Sequence, residues 1–79
     1  MEEIDGMYFD LNQVITIGKL RIPENGKAWY SVHFTGGVKV DFYQEDPRVE
    51  SAMPYCDREE LVEKINTIKG NSSLDYKYK

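Results

Sequence analysis

The chain is poor in the groups that small proteins use to fasten themselves. Its 79 residues include one cysteine, Cys56, so no disulfide can form within the chain. With a single histidine, His33, no Cys/His set has metal-ligand spacing either. No apolar run approaches the ~20 residues of a membrane span. The first ten residues, MEEIDGMYFD, are acidic where a signal peptide is basic and then apolar, so a cytoplasmic location is expected. The lone thiol agrees with a reducing compartment. Lacking staples, a domain this short buries only about 60–65% of its unfolded surface, and self-association into a homo-oligomer becomes an expectation.

The net charge is −4, and it is unevenly spread. Glu2, Glu3, Asp5 and Asp10 open the chain, and Asp41, Glu45, Asp46, Glu50, Asp57, Glu59, Glu60 and Glu63 crowd residues 41–63. Lys19, Arg21, Lys27 and Lys39 lie between them. An acidic total disfavours nucleic acid, whose non-specific binding runs on phosphate neutralisation. It leaves a protein partner open.

What is present is an α+β pattern in one domain, residues 1–70, followed by a polar tail, 71–79. The tail reads as a flexible terminus or an edge strand, because Leu74, Tyr76 and Tyr78 alternate with polar residues. Met7, Phe9 and Leu11 alternate as a first strand, and LNQV is a turn. VITIGKLRI is a β-branched second strand whose apolar parity changes from Ile15 and Ile17 to Leu20 and Ile22. That change asks for a bulge at Gly18. PENGK, with its Asn-Gly pair, favours a tight hairpin.

AWYSVHFTGGVKVDFY gives two more strands. For Tyr30, Val32 and Phe34 to share a face with Val38, Val40 and Phe42, Phe34 must oppose Val38. Thr35-Gly36-Gly37 is then a three-residue connection that needs a left-handed residue. The register follows: Trp29 opposite Tyr43, Ser31 opposite Asp41, His33 opposite Lys39. Residues 44–56 form a long connection that Val49, Met53 and Tyr55 anchor. DREELVEKINTIKG is a helix with Asp57 as cap, Glu60 three residues on, and a stripe of Leu61, Val62, Ile65 and Ile68. The expected architecture is a four-stranded antiparallel meander with one C-terminal helix across one face, β-β-β-β-α.

Catalytic signals are weak. His33 is the one candidate base, and Cys56 lies in another segment; the carboxylate pairs sit on loop and helix surfaces where solvated charge is the default. TGGVK lacks the spacing of a phosphate loop, and QEDPRVE that of a calcium loop. The expectation is no enzyme, no cofactor and no metal. The distinctive surface is the outward ladder of Trp29, Ser31, His33, Lys39, Asp41 and Tyr43. Its aromatic anchors beside polar contacts suit an interface centre. The expected function is a small non-enzymatic binding protein. Its size and acidity fit a phage- or mobile-element-encoded inhibitor of a host defence system, anti-CRISPR-like in role. Glu45, Asp46 and Glu50 would steer it toward a basic surface. The alternatives are an oligomeric small-ligand or nucleotide-binding protein, with aromatics stacking on the ligand, and a structural subunit of a larger assembly.

Overall fold

A computed structural model describes residues 1–48 and 53–70. The expected Val49 anchor and the 71–79 tail lie outside them. The described chain is α+β: β1 (Glu2–Ile4), β2 (Met7–Phe9), β3 (Val14–Ile17), β4 (Trp29–Phe34), β5 (Val38–Tyr43) and α1 (Arg58–Lys69).

The single four-stranded meander is not what forms. The strands divide into a two-stranded sheet, β1-β2, and a three-stranded antiparallel sheet, β3-β4-β5. The first sheet is a hairpin closed by Asp5 and Gly6, both at positive φ (52° and 81°), the signature of a tight Asp-Gly turn. It then breaks away. The Asp10 carboxylate accepts the Asn12 N–H and closes a 3-10 turn over Leu11–Gln13, which sends the chain into β3 in a new direction. Leu11 is therefore a buried turn residue rather than a strand residue.

β3 ends at Ile17 rather than running on to Ile22, and the irregularity inside it lies ahead of the one expected at Gly18. Val14 opposes Phe34 but Thr16 opposes His33, so Ile15 is an extra residue, pushed outward and 53% exposed. A further slip falls between Gly18, whose N–H donates to the Ser31 carbonyl at 2.7 Å, and Arg21, which pairs with Trp29. Together they leave Val14, Ile17 and Leu20 facing inward at three-residue spacing. Ile15 and Ile22, expected in the core, face solvent. The connection from Ile22 to Ala28 is longer than the tight turn expected of Asn25-Gly26, because pairing stops at Arg21–Trp29.

The β4–β5 hairpin has the expected register at all six positions, from Trp29↔Tyr43 to Phe34↔Val38. Gly36 and Gly37 at φ 83° and 77° supply the left-handed turn. Tyr30, Val32 and Phe42 are fully buried, whereas Val38, at the tip beyond the reach of the covering layer, is half exposed.

Two pieces cover this apolar face. Helix α1 contributes Leu61 and Ile65, both fully buried; Ile68, expected in the same stripe, lies in the last turn and is partly exposed. The β1–β2 hairpin contributes Ile4 and Phe9, whose ring lies 5.3 Å from Phe42 and 6.1 Å from Phe34. The helix begins at its Asp57 cap, whose carboxylate accepts the Glu60 N–H at 3.1 Å, and stops at left-handed Gly70. Lys64 of the helix reaches Glu2 of β1 at 3.1 Å, tying α1 to the first hairpin. The end of the long connection closes the sheet on one side. Tyr43 donates its N–H to the Pro54 carbonyl and accepts from the Cys56 N–H, each at 2.9 Å, as a short parallel bridge.

Candidate functional site

On the outward side of the β3-β4-β5 sheet, the odd-numbered residues of β4 and β5 face each other. Even-numbered residues of β5 bond back to β4, as the Gln44 N–H to the Ala28 carbonyl illustrates, so the odd pairs are the non-hydrogen-bonded ones. In such pairs the Cα atoms approach to about 4.5 Å and side chains touch readily. This brings all six expected residues onto one ladder: Trp29 beside Tyr43, Ser31 beside Asp41, His33 beside Lys39. Trp29, Ser31, Asp41 and Tyr43 are half-buried; His33 and Lys39 are exposed.

The ladder is internally organised. The Ser31 hydroxyl donates to Asp41 Oδ1 at 2.6 Å, which fixes the carboxylate over the strand pair. His33 Nδ1 lies 3.4 Å from the Thr16 hydroxyl, extending the face onto β3. At the other end the Arg21 guanidinium stands over the Trp29 ring, 5.4 Å from its centroid. Pro23, Gly26, Lys27, Trp29, Asp41, Tyr43 and Met53 line an open groove of about 360 Å³. Met53 thus borders the aromatic pair from the returning connection, while the His33–Lys39 end stays open.

Arg21, Lys27 and Met53 are parts of this face that strand alternation alone does not supply, whereas Thr16 follows from its alternation with Ile15 and Ile17. The signal for Arg21 was in the parity change of VITIGKLRI, since the slip after Gly18 turns Arg21 outward. Lys27 and Met53 arrive on loops, whose direction no periodicity encodes.

With Arg21, Lys27 and Lys39 against Asp41, the face is a locally cationic part of an acidic protein. The carboxylates expected to steer a partner are not on the ladder but adjoin its Lys27 rim, since Glu45 and Asp46 line a groove with Gly26, Lys27 and Ala28. Glu45 and Asp46 are exposed and share a groove of about 480 Å³ with Glu3, Asp5, Asp57, Glu60 and Lys64, between the first hairpin and the start of the helix. Glu50 lies outside the described residues.

Cys56 and His33 do not meet. Cys56 is buried among the core residues on the apolar side, and its backbone carbonyl accepts the Tyr30 hydroxyl at 2.6 Å, while His33 faces solvent across the sheet. Burial pushes the Cys56 thiol up, with Glu60 and Asp57 adding to the shift. That is the reverse of what activates a nucleophile. Among the described residues no group of three or more His, Cys, Asp or Glu stands together as a metal site. Nor is any of their helices long and apolar enough to cross a membrane.

Comparison of the chain with protein-family models, with curated proteins and with solved structures finds no match.

Proposed function

We propose that this protein acts by binding another protein through the outward sheet face centred on Trp29 and Tyr43. The observation that carries the reading is the groove between those rings: an aromatic pair, half-buried and open, rimmed by Arg21 and Lys27. Tryptophan, tyrosine and arginine are the side chains that dominate interface energetics, and here they are adjacent. Sheet pairing and the Ser31–Asp41 hydrogen bond hold the ladder before any partner arrives, which lowers the ordering cost of association. The rim cations set the sign of the contact, so the surface met by the face is acidic where it touches. Glu45 and Asp46, which share a groove with Lys27, bound the cationic rim on that flank and orient the approach. An inhibitor encoded by a phage or mobile element, occupying the surface of a host defence protein, is the biological form of this proposal.

The test is affinity capture from a native host lysate, with the Trp29→Ala/Tyr43→Ala variant as the paired bait. The double variant is expected to lose its partner by at least about 100-fold in affinity while keeping its circular dichroism spectrum. Undiminished capture by the folded double variant would place the contact on another surface. A second reading, nucleotide or small-ligand binding, draws on the groove's volume, which falls in the range of ligand pockets. Quenching of the single tryptophan by a nucleotide, with no protein captured, would favour it.

A further inference from the structure

The loop beside the aromatic groove carries the one described asparagine whose amide lies open to its own backbone. The connection from Ile22 to Ala28 turns over Glu24 and Asn25, and no well-formed backbone hydrogen bond holds residues 22–27 among the described residues. Asn25, Gly26 and Lys27 are all exposed. The Asn25 side chain has no hydrogen-bond partner among the described residues. The backbone nitrogen that follows it belongs to glycine, so no Cβ shields it. The other described asparagines are closed to the same approach. The nitrogen after Asn12 is that of Gln13, whose N–H donates to the Asp10 carbonyl at 3.0 Å. Asn66 lies inside α1, where the Thr67 N–H belongs to the helical ladder, and its Oδ1 is buried. Asn71 lies outside the described residues.

We infer that Asn25 is a self-modifying site, converted in the folded protein by attack of the Gly26 nitrogen, with water as the only co-reactant. A base in the solvent takes the Gly26 N–H proton, and the nitrogen's electron pair forms a bond to Asn25 Cγ. The bond from Cγ to Nδ2 breaks, ammonia leaves with a proton from the solvent, and a five-membered imide remains. Water then opens the ring. Cleavage of the new bond leaves aspartate at position 25 and the backbone as before. Cleavage at the backbone carbonyl of the same residue leaves the chain running through the side chain, as isoaspartate. Either way a neutral amide becomes a carboxylate. The reacting atoms belong to neighbouring residues, so their effective concentration is high wherever the fold does not hold them apart. The new charge arrives at the rim of the groove. Gly26 and Lys27 line both the aromatic groove and the groove of Glu45 and Asp46. Lys27 makes no ion pair among the described residues, so its charge is available to the rim. A carboxylate at position 25 offsets that charge and extends the Glu45–Asp46 flank across it. Conversion therefore weakens the hold on an acidic partner surface, a consequence that rests on the function proposed above.

Peptide mapping by mass spectrometry follows each asparagine while the whole chain is incubated in neutral buffer, beside a sample unfolded in guanidinium chloride. Asn25 is expected to convert at least about tenfold faster than Asn12 and Asn66. Because the fold gives it no shelter, its rate is expected to lie within about threefold of that in the unfolded chain. Asn25→Gln, whose longer side chain closes a ring less readily, is expected to cut conversion at that position by about tenfold or more. Gly26→Ala shields the nitrogen and is expected to slow it similarly; its methyl group meets the exposed Pro23 ring at 3.1 Å, so circular dichroism checks that both variants fold. A folded Asn25 that stays unconverted while the unfolded chain converts overturns the inference, and so does conversion in folded Gly26→Ala at the wild-type rate. The charge effect is read with Asn25→Asp as bait for the partner captured by the wild type. Retention weaker by about threefold or more is expected, and equal retention overturns that consequence. A wild type that captures nothing counts against the proposed function alone, because the mapping needs no partner.

Discussion

Cys56 is held by its surroundings as a proton-bearing, inert thiol, and this gives the protein a defined alkaline weakness. Burial pushes up first the Tyr30 phenol and likewise the Cys56 thiol, and the hydrogen bond from Lys64 to Glu2 raises the Lys64 ammonium. All three groups keep their protons in the folded chain at pH values where the unfolded chain releases them. The unfolded state then binds fewer protons, so stability is full below the unfolded values and falls as pH rises above them. The thiol, ordinarily near 9.0, goes first, ahead of the phenol at 10.0. Thermal melts followed by circular dichroism are expected to be level to about pH 8 and to fall beyond it. In Cys56→Ala the fall starts later, nearer the phenol range; an identical onset in both proteins would remove the thiol as the cause. Nothing in the sequence around Cys56 reveals this burial beyond its place just before a helix cap. Trp29, His33 and Tyr43, by contrast, could be assigned to their face from alternation alone.

Among the elements, the helix was the most legible and the first hairpin the least. Asp57, Glu60 and Gly70 mark both ends of α1, and the structure uses Asp57 and Gly70 as caps. What the pattern does not contain is Gln44, whose side-chain amide donates to the Asp57 carboxylate and accepts the Arg58 N–H at 3.0 Å. The helix start is thereby tied to the end of β5, a long-range contact invisible to local periodicity. Asp57→Ala removes the cap and orphans Gln44 together, so the expected loss is about 1–2 kcal/mol, near the top of the range for capping residues. Urea titration reads it; Asp57→Asn, which still accepts the Glu60 N–H, is expected to recover at least half. The β1–β2 hairpin is hard to read because three-residue strands carry too little alternation to stand out, although Asp5-Gly6 between Ile4 and Met7 is a strong turn signal.

At the scale of the whole molecule, the architecture was legible as α+β with one helix over a sheet, and wrong in how the strands are shared out. The reason is Leu11–Gln13. A meander requires consecutive strands to pair, and the Asp10-capped turn instead lifts the first hairpin off the sheet so that Phe9 covers Phe42 alongside the helix. One small core is thus closed from above by two separate pieces. The bulge in the third strand has a further result for chain length. Ile15 occupies a place in the sequence but no place in the ladder: Val14 and Thr16 sit opposite the consecutive residues Phe34 and His33. Removing Ile15 outright leaves an unbroken strand with Val14 and Ile17 still inward and Thr16 still outward. A one-residue deletion inside a strand ordinarily turns every later side chain to the wrong face. Here the shortened chain is expected to fold with a melting temperature within about 5 °C of the full one, a change of order 1 kcal/mol. Deletion of Ser31 from the central strand, paired on both sides, is expected to abolish folding. The protein therefore carries in β3 a spare residue, a point at which its length can vary while its fold does not.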